Sequence, residues 1–374
     1  MSILLILSGT ACIDRIDIPI GGSPYYPLVI DGHISDQPGP YTIKVTRAFD
    51  IESKLFLKTS INVKKITLSD NQGTNEALTR IKDGTYQTNP NGIRGVIGRI
   101  YQLRVELLDG RVYESNPDTL LSSGNVDGID YKYTEEKTDG GELKYGFDVF
   151  FNSSSSDPNN FRFLWQFIGT YKVDTNPELY DTICIANLDL EQEGRCPKPL
   201  PCSGYVVTNK RLGTIESTSP CECCTCWVNF FNENPLISDN KLVQGGSLRT
   251  IKAGYVPINQ WTFKYRVHAE IRQLSLTQQS FAFWKAVNEQ RLASNSLFLP
   301  VTGKVPSNFT QIGGPTAPVE GVFFATSISS KSVFITPKDV PNQSTIPVQD
   351  FPLANSCLRL FANASTLKPS FWQD

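Results

Sequence analysis

Apolar and polar residues alternate with period two over so much of this chain that its architecture has to be assembled from half-buried β-strands. Between Trp261 and Ile271, the residues Trp261, Phe263, Tyr265, Val267, Ala269 and Ile271 fall on one face, and Thr262, Lys264, Arg266, His268 and Glu270 on the other. The same alternation places Tyr41, Ile43 and Val45 together, then Tyr101, Leu103, Val105 and Leu107, then Tyr145, Phe147, Val149 and Phe151, then Phe161, Phe163, Trp165 and Phe167. Asp83-Gly84, Asn91-Gly92 and Asp109-Gly110 supply the tight-turn residues that join such strands into hairpins. One segment reads as a helix. Ser275-Leu-Thr-Gln278 has the spacing of a capping box, and Phe283 and Val287 then share a face, which predicts a helix over 275–293.

A chain of 374 residues exceeds what one core usually organises. The reading is therefore mainly β, with two sandwiches. An immunoglobulin-like sandwich is expected over 24–124, ending in the polar linker Asn116–Gly124. A larger β-sandwich is expected over 125–345, carrying the helix and a Cys-rich insert at 184–226, and followed by a tail at 346–374. The formal charge of −2 and the lack of a Lys/Arg cluster remove the attraction that nucleic acid or an anionic membrane surface would require, so no nucleic-acid partner is expected.

The N-terminus carries a different signal. Residues 1–23 read as a lipoprotein signal and tether, because a short apolar run, Ile3–Leu7, leads into Ser8-Gly-Thr-Ala11 and then Cys12. Signal peptidase needs small side chains before its cut, and acylation of the Cys12 thiol would anchor the chain to a membrane. Gly9 stands where such signals usually have Leu, and no Lys or Arg precedes the apolar run, so the natural start is expected upstream. A buried N-terminal strand with a free Cys12 is the alternative. No later segment has the roughly 20 apolar residues of a bilayer span.

Eight further cysteines follow: Cys184, Cys196, Cys202, Cys221, Cys223, Cys224, Cys226 and Cys357. An even count in an exported chain favours disulfides, and the stretch from 184 to 226 is too polar to build its own core. The interleaved C-x-x-C pairs of Cys221-Glu-Cys-Cys-Thr-Cys226 would also suit a tetrahedral zinc site or redox exchange. Disulfides are the favoured reading, with no metal and no cofactor expected.

Catalytic patterns are missing. Only His33 and His268 could serve a His-dependent nucleophile, and both are expected on polar strand faces. No G-x-S-x-G elbow, H-E-x-x-H pair or P-loop occurs. A spatial carboxylate pair leaves no trace in sequence. Asn125-Val-Asp-Gly-Ile-Asp130 is faintly like a calcium loop but lacks the remaining ligand spacing, and reads as an interdomain turn. Tyr131 and Tyr133 could form a sugar-stacking platform, although aromatics at period two are more often core.

Several stretches together resemble domain-of-unknown-function family 4249, lipoproteins of the Bacteroidota outer membrane. They are Leu28–Tyr41, Cys226-Trp227 with Ile237-Ser-Asp-Asn240, Tyr265–Gln273 leading into Leu276–Trp284, Ser296-Leu-Phe298 ahead of Gly321–Thr326, and Lys368–Trp372. The resemblance covers nearly the whole mature chain. Family members often have a C-x-x-C near the C-terminus, whereas here Cys357 is followed by Leu360, so Cys357 needs a partner in the 184–226 cluster or stays free. Asp118-Thr-Leu120 and Asp181-Thr-Ile183 also resemble the O-glycosylation motif of that phylum's exported proteins. The resemblance implies an accessory lipoprotein beside a TonB-dependent receptor. The functional expectation is a non-catalytic outer-membrane binding module, with a structural or adhesive envelope protein and a carboxylate-pair hydrolase as alternatives.

Overall fold

The computed structural model describes residues 27–373 apart from 48–60, 139, 156, 158–159, 181–197, 210–213, 233, 239–242, 244–245, 295–304, 313–316 and 350. Cys12, Cys184, Cys196 and the Asp181-Thr-Ile183 motif lie outside the described residues.

The strands of the first part are β1 (Leu28–Ser35), β2 (Thr42–Arg47), β3 (Val63–Asp70), β4 (Asn75–Ala77), β5 (Thr79–Lys82), β6 (Thr85–Gln87), β7 (Ile100–Leu107), β8 (Val112–Ser115) and β9 (Asp118–Thr119). Those of the second are β10 (Asn125–Lys137), β11 (Leu143–Ser154), β12 (Phe163–Asp174), β13 (Tyr205–Asn209), β14 (Thr214–Ser217), β15 (Thr225–Phe231), β16 (Leu236–Ile237), β17 (Ser247–Pro257) and β18 (Val267–Ser275). After the helix α1 (Gln278–Ser294) come β19 (Phe309–Gln311), β20 (Val319–Thr326), β21 (Ile328–Ile335), the short helix α2 (Cys357–Leu360) and β22 (Ala364–Ser365). The mainly β expectation holds.

Two sheets, β20-β1-β2-β6-β5 and β19-β8-β7-β3-β4 with β9 beside β7, close the first sandwich. The alternating residues named from sequence form its core: Tyr41, Ile43, Val45, Tyr101, Leu103, Val105 and Leu107 are all buried. Gly84 (φ 67°) and Gly110 (φ 87°) take the left-handed turn conformations that Asp-Gly dipeptides announce. The first sandwich does not end at residue 124, however. β19 pairs with β8, and β20 pairs in parallel with β1, so residues 309–326 return to complete both sheets. Val322–Ala325 is continuously apolar because β20 is covered on both faces. Phe323 and Ala325 enter the first core, while Val322 and Phe324 face α1.

The second sandwich stacks β10-β11-β17 on β21-β18-β12-β15-β22, with β16 beside β12. Phe147, Val149, Phe151, Phe163, Trp165 and Phe167 fill its centre. Two expectations are corrected here. Trp261–Arg266 is a turn rather than strand, because the Asn259 side chain accepts the amides of Trp261 and Thr262 and bends the chain before β18 starts at Val267. Asn125–Asp130 is the start of β10, not a turn, and Asp127 accepts a hydrogen bond from Ser154. Tyr131 and Tyr133 pack edge-on against Phe147, as the core reading of alternating aromatics has it.

Between the sandwiches lies a buried polar seam. The stretch expected as a linker, Asn116–Gly124, is part of it: Asp118 is 2% exposed, and its carboxylate accepts from Thr277 Oγ1 (2.5 Å), Ser280 Oγ (3.0 Å) and the Ala325 amide (2.9 Å). Gln273, fully buried, accepts from Ser153 and the Trp165 indole and donates to the Ser123 and Ser154 carbonyls. Ser275 belongs to β18 and does not cap the helix. Its hydroxyl donates to the Leu121 carbonyl at 2.6 Å and accepts the Ser327 amide at 2.9 Å. Asp36 takes the Ile328 amide at 2.9 Å.

Burial pushes the Asp118 carboxyl above its ordinary pKa, and the hydrogen bonds from Thr277, Ala325 and Ser280 offset only part of that shift. Between the ordinary and raised values the folded chain holds more protons than the unfolded chain, so stability from this group falls as pH rises through that window. Asp118→Asn keeps one acceptor oxygen and turns an amide N–H₂ toward donors. It should cost about 1–3 kcal/mol at neutral pH, and urea midpoints should show the gap to wild type widening on acidification. A gap that stays constant with pH would contradict a raised Asp118 pKa at the seam.

Candidate functional site

The helix starts at the seam and ends over open ground. The Thr277 hydroxyl, not Ser275, meets its first turn by accepting the Ser280 amide at 3.4 Å. Phe281 and Trp284 then pack onto Leu164, Leu274, Leu276, Val322 and Phe324. One and two turns further on, Asn288, Arg291 and Leu292 follow on the same side, at the i+4, i+7 and i+8 spacing from Trp284, and line hollows rather than core.

Beneath this face lies the outer surface of the β12 sheet. Leu164 and Ile237 are register partners there, as are Ile168 and Phe231, so Phe231 points to the helix side while its neighbour Phe230 packs inward on Phe167 and Tyr171. The result is a cavity of about 310 Å³ between β12, Phe231 and the helix face at Trp284 and Arg291. It adjoins a second hollow of about 670 Å³ that passes the Asn232–Pro235 connection and reaches Lys252–Pro257 on β17, the edge strand of its sheet. Asn232 spans the two, donating its amide to the Ala253 carbonyl.

The chemistry of this groove is mixed. Phe231 (52% exposed) and Leu292 (49%) present apolar surface to solvent. Two buried polar atoms of its lining, Asn234 Oδ1 and the Trp284 indole N–H, have no hydrogen-bond partner among the described residues. The Tyr255 ring turns away from the groove and lies over Gly146, on the outer face of the β10-β11-β17 sheet. Burial, helped by the nearby negative charge of Glu136 and Asp148, pushes the Tyr255 phenol up to about 12, so it stays protonated and able to donate. No Asp or Glu lines either hollow among the described residues. Lys252 pairs with Asp148 at 2.7 Å, and Arg291 is already engaged by other groups.

The residues singled out from sequence sit elsewhere. His33 stacks on Phe324 at 5.3 Å. His268 is 3% exposed rather than on a solvent face, because Phe371 of the tail covers its ring at 3.8 Å and Phe334 flanks it at 5.0 Å. Burial lowers the pKa of both histidines. Among the described residues no group of three or more His, Cys, Asp and Glu side chains could hold a metal ion.

The described cysteines resolve into pairs: Cys202–Cys223, Cys221–Cys224 and Cys226–Cys357. This displaces the zinc alternative for the C-x-x-C run, since its sulfurs are consumed in disulfides. It also gives Cys357 its partner within the cluster. The Cys226–Cys357 bond fixes the tail against β15, where β22 adds backbone pairing to Trp227 and Val228. Its partners lie 131 residues apart, against 3 for Cys221–Cys224, so the entropy it removes from the unfolded chain is far larger. Replacing Cys226 and Cys357 by Ser should cost about 2–5 kcal/mol, and replacing Cys221 and Cys224 by Ser much less. Denaturant midpoints of the two double variants check this; equal losses would contradict it.

No curated protein and no solved structure matches the chain. A family profile does, described as Domain of unknown function (DUF4249), over residues 13–332. That span runs through both sandwiches and the groove, from the residue after Cys12 into β21. On this match the chain belongs to the DUF4249 family.

Proposed function

We propose that this chain is a non-catalytic binding module of the bacterial outer membrane, held by a lipid on Cys12 and working beside a TonB-dependent receptor in ligand uptake. The observation that carries the reading is the groove under α1, where apolar surface and unpartnered polar atoms converge in a space of ligand size. The disulfides support export to an oxidising compartment. Small residues before Cys12 support acylation there. No described helix is long and apolar enough to cross a membrane.

A structural or adhesive role draws on a different observation, the seam through which β20 and β21 run from one sandwich into the other with only Ser327 between them. Such a junction suits a rigid spacer. The groove favours the binding role, because a spacer gains nothing from buried polar atoms left without partners.

Cys12→Ser in the native host should move the chain out of the membrane fraction without loss of folded protein; retention in the membrane would remove the lipid anchor from the proposal. Affinity purification of the wild-type chain from detergent-extracted envelopes should bring down a β-barrel receptor. Recovery of the chain alone, repeated with cross-linking, would remove the receptor.

A further inference from the structure

We infer that Leu367–Gln373 form a strap that docks on the outer face of the second sandwich at neutral pH and is released when His268 takes up a proton.

The strap is held by its rings. Its root is fixed upstream, where Cys357 is bonded to Cys226 and β22 pairs with β15. Beyond Ser365, the Leu367 amide donates to Ser365 Oγ and the Trp372 amide to the Pro369 carbonyl, so these bonds close on the tail itself. What reaches the sheet is aromatic. Phe371 lies flat on His268, with 3.8 Å between ring centroids and 13° between planes, while Trp372 meets Trp227 at 6.5 Å and Phe334 at 5.8 Å. The Arg266 guanidinium lies 4.5 Å from the Phe334 ring centroid and 5.2 Å from that of Trp372. Trp372 and Trp227 are buried by these contacts, and release of the strap uncovers both rings.

Histidine is the side chain whose charge changes in mildly acidic conditions, and His268 lies directly under the strap. Its Nδ1 is buried with no hydrogen-bond partner among the described residues. In the imidazolium both ring nitrogens are donors, so protonation would leave a charged N–H without an acceptor. The surroundings do not compensate. On its own strand stand Arg266, Arg272 and one carboxylate, Glu270, which is already paired to Arg272 at 2.9 Å. Its register partners on the two flanking strands, Thr170 and Phe334, carry no charge. Next on that face of β12 are Lys172 and Asp174, paired with each other at 3.9 Å, and the strap itself brings Lys368, which is engaged by another group. Stacking a cation on Phe371 returns part of the loss, but only water can solvate the new N–H, and water reaches it once Phe371 lifts. Burial lowers the His268 pKa in the docked state; Arg272 adds to the shift and Glu270 opposes it. Docking is therefore strongest above the ordinary imidazole value. Below it, the docked-to-released ratio falls by up to about tenfold per pH unit until the docked value is passed.

The test uses the full mature chain with its disulfides formed, titrated from about pH 7.5 to about pH 4.5 around the imidazole range. The chain has two histidines, so ring-proton NMR resolves each, and His33→Asn assigns them. Wild-type His268 should titrate below about pH 6.5, and acrylamide quenching of tryptophan fluorescence should rise with the same midpoint, a rise that Trp372→Phe reduces. Phe371→Ala should move the His268 midpoint up toward the ordinary value. His268→Phe, which keeps a ring to stack on and takes no proton, should stay resistant to quenching throughout. Far-UV circular dichroism follows the sandwiches over the same range. The inference is overturned if wild-type His268 titrates at its ordinary value or not at all in this range, or if quenching stays flat while it titrates. It is also overturned if His268→Phe is quenched in acid as readily as wild type, or if the sandwiches unfold at or above the His268 midpoint. Asp374 lies outside the described residues, and a midpoint moved by Asp374→Asn but not by Phe371→Ala would equally remove the strap as the cause.

Discussion

A single buried carboxylate sets much of this architecture. Asp118 sits where residues from β9, α1 and β20 meet, and its three hydrogen bonds each come from a different place: the residue before the helix, the first turn of the helix and the backbone of β20. A charge taken out of water without partners would cost several kcal/mol, so the folded state needs all three donors present together. That requirement ties the start of α1 to β20, and through the β1–β20 pairing to the first sandwich. Gln273 and Ser275 extend the same logic across the junction, since their hydrogen bonds reach segments from both sides.

The groove follows from that constraint. With its first turn fixed at the seam, α1 lies across the outer face of the β12 sheet from Leu164 outward. Its first half finds apolar neighbours supplied by β18 and β20. Its second half extends past them, over a sheet surface that ends at Phe231 and the Asn232–Pro235 connection. The hollow is thus a geometric outcome of one rigid helix anchored at one end. Its polar lining comes from the Asn232–Pro235 connection and from the Trp284 indole on the helix itself.

Much of the fold was legible in the sequence, because period-two alternation is a local property and the cores obey it. The strands around Tyr41, Tyr101, Phe147 and Trp165 formed as read, as did the Asp-Gly turns. The failures share a cause, which is that a local pattern was overridden by something distant. Trp261–Arg266 alternates like a strand, but Asn259 captures the backbone amides first. His268 lies on the polar face of its strand by periodicity, yet a tail a hundred residues away brings Phe371 over it. Asp118 looks like a linker residue until α1 and β20 arrive. The return of β19 and β20 to the first sandwich could not be read from turn signals, since parallel pairing with β1 joins residues almost three hundred positions apart. The groove was the least visible feature, because Phe231, Asn234 and Trp284 have no common motif or spacing. One signal did point there: two of the family-like stretches, the one opening at Ile237 and the one closing at Trp284, end at its walls.

The central claim is that the two sandwiches, joined by a satisfied polar seam and a strand that passes between them, behave as one cooperative unit with the groove built on it. Differential scanning calorimetry tests this most directly. A single transition whose calorimetric and van't Hoff enthalpies agree is the expected result. Two resolved transitions, each matching the enthalpy of one sandwich, would show that the seam does not couple them.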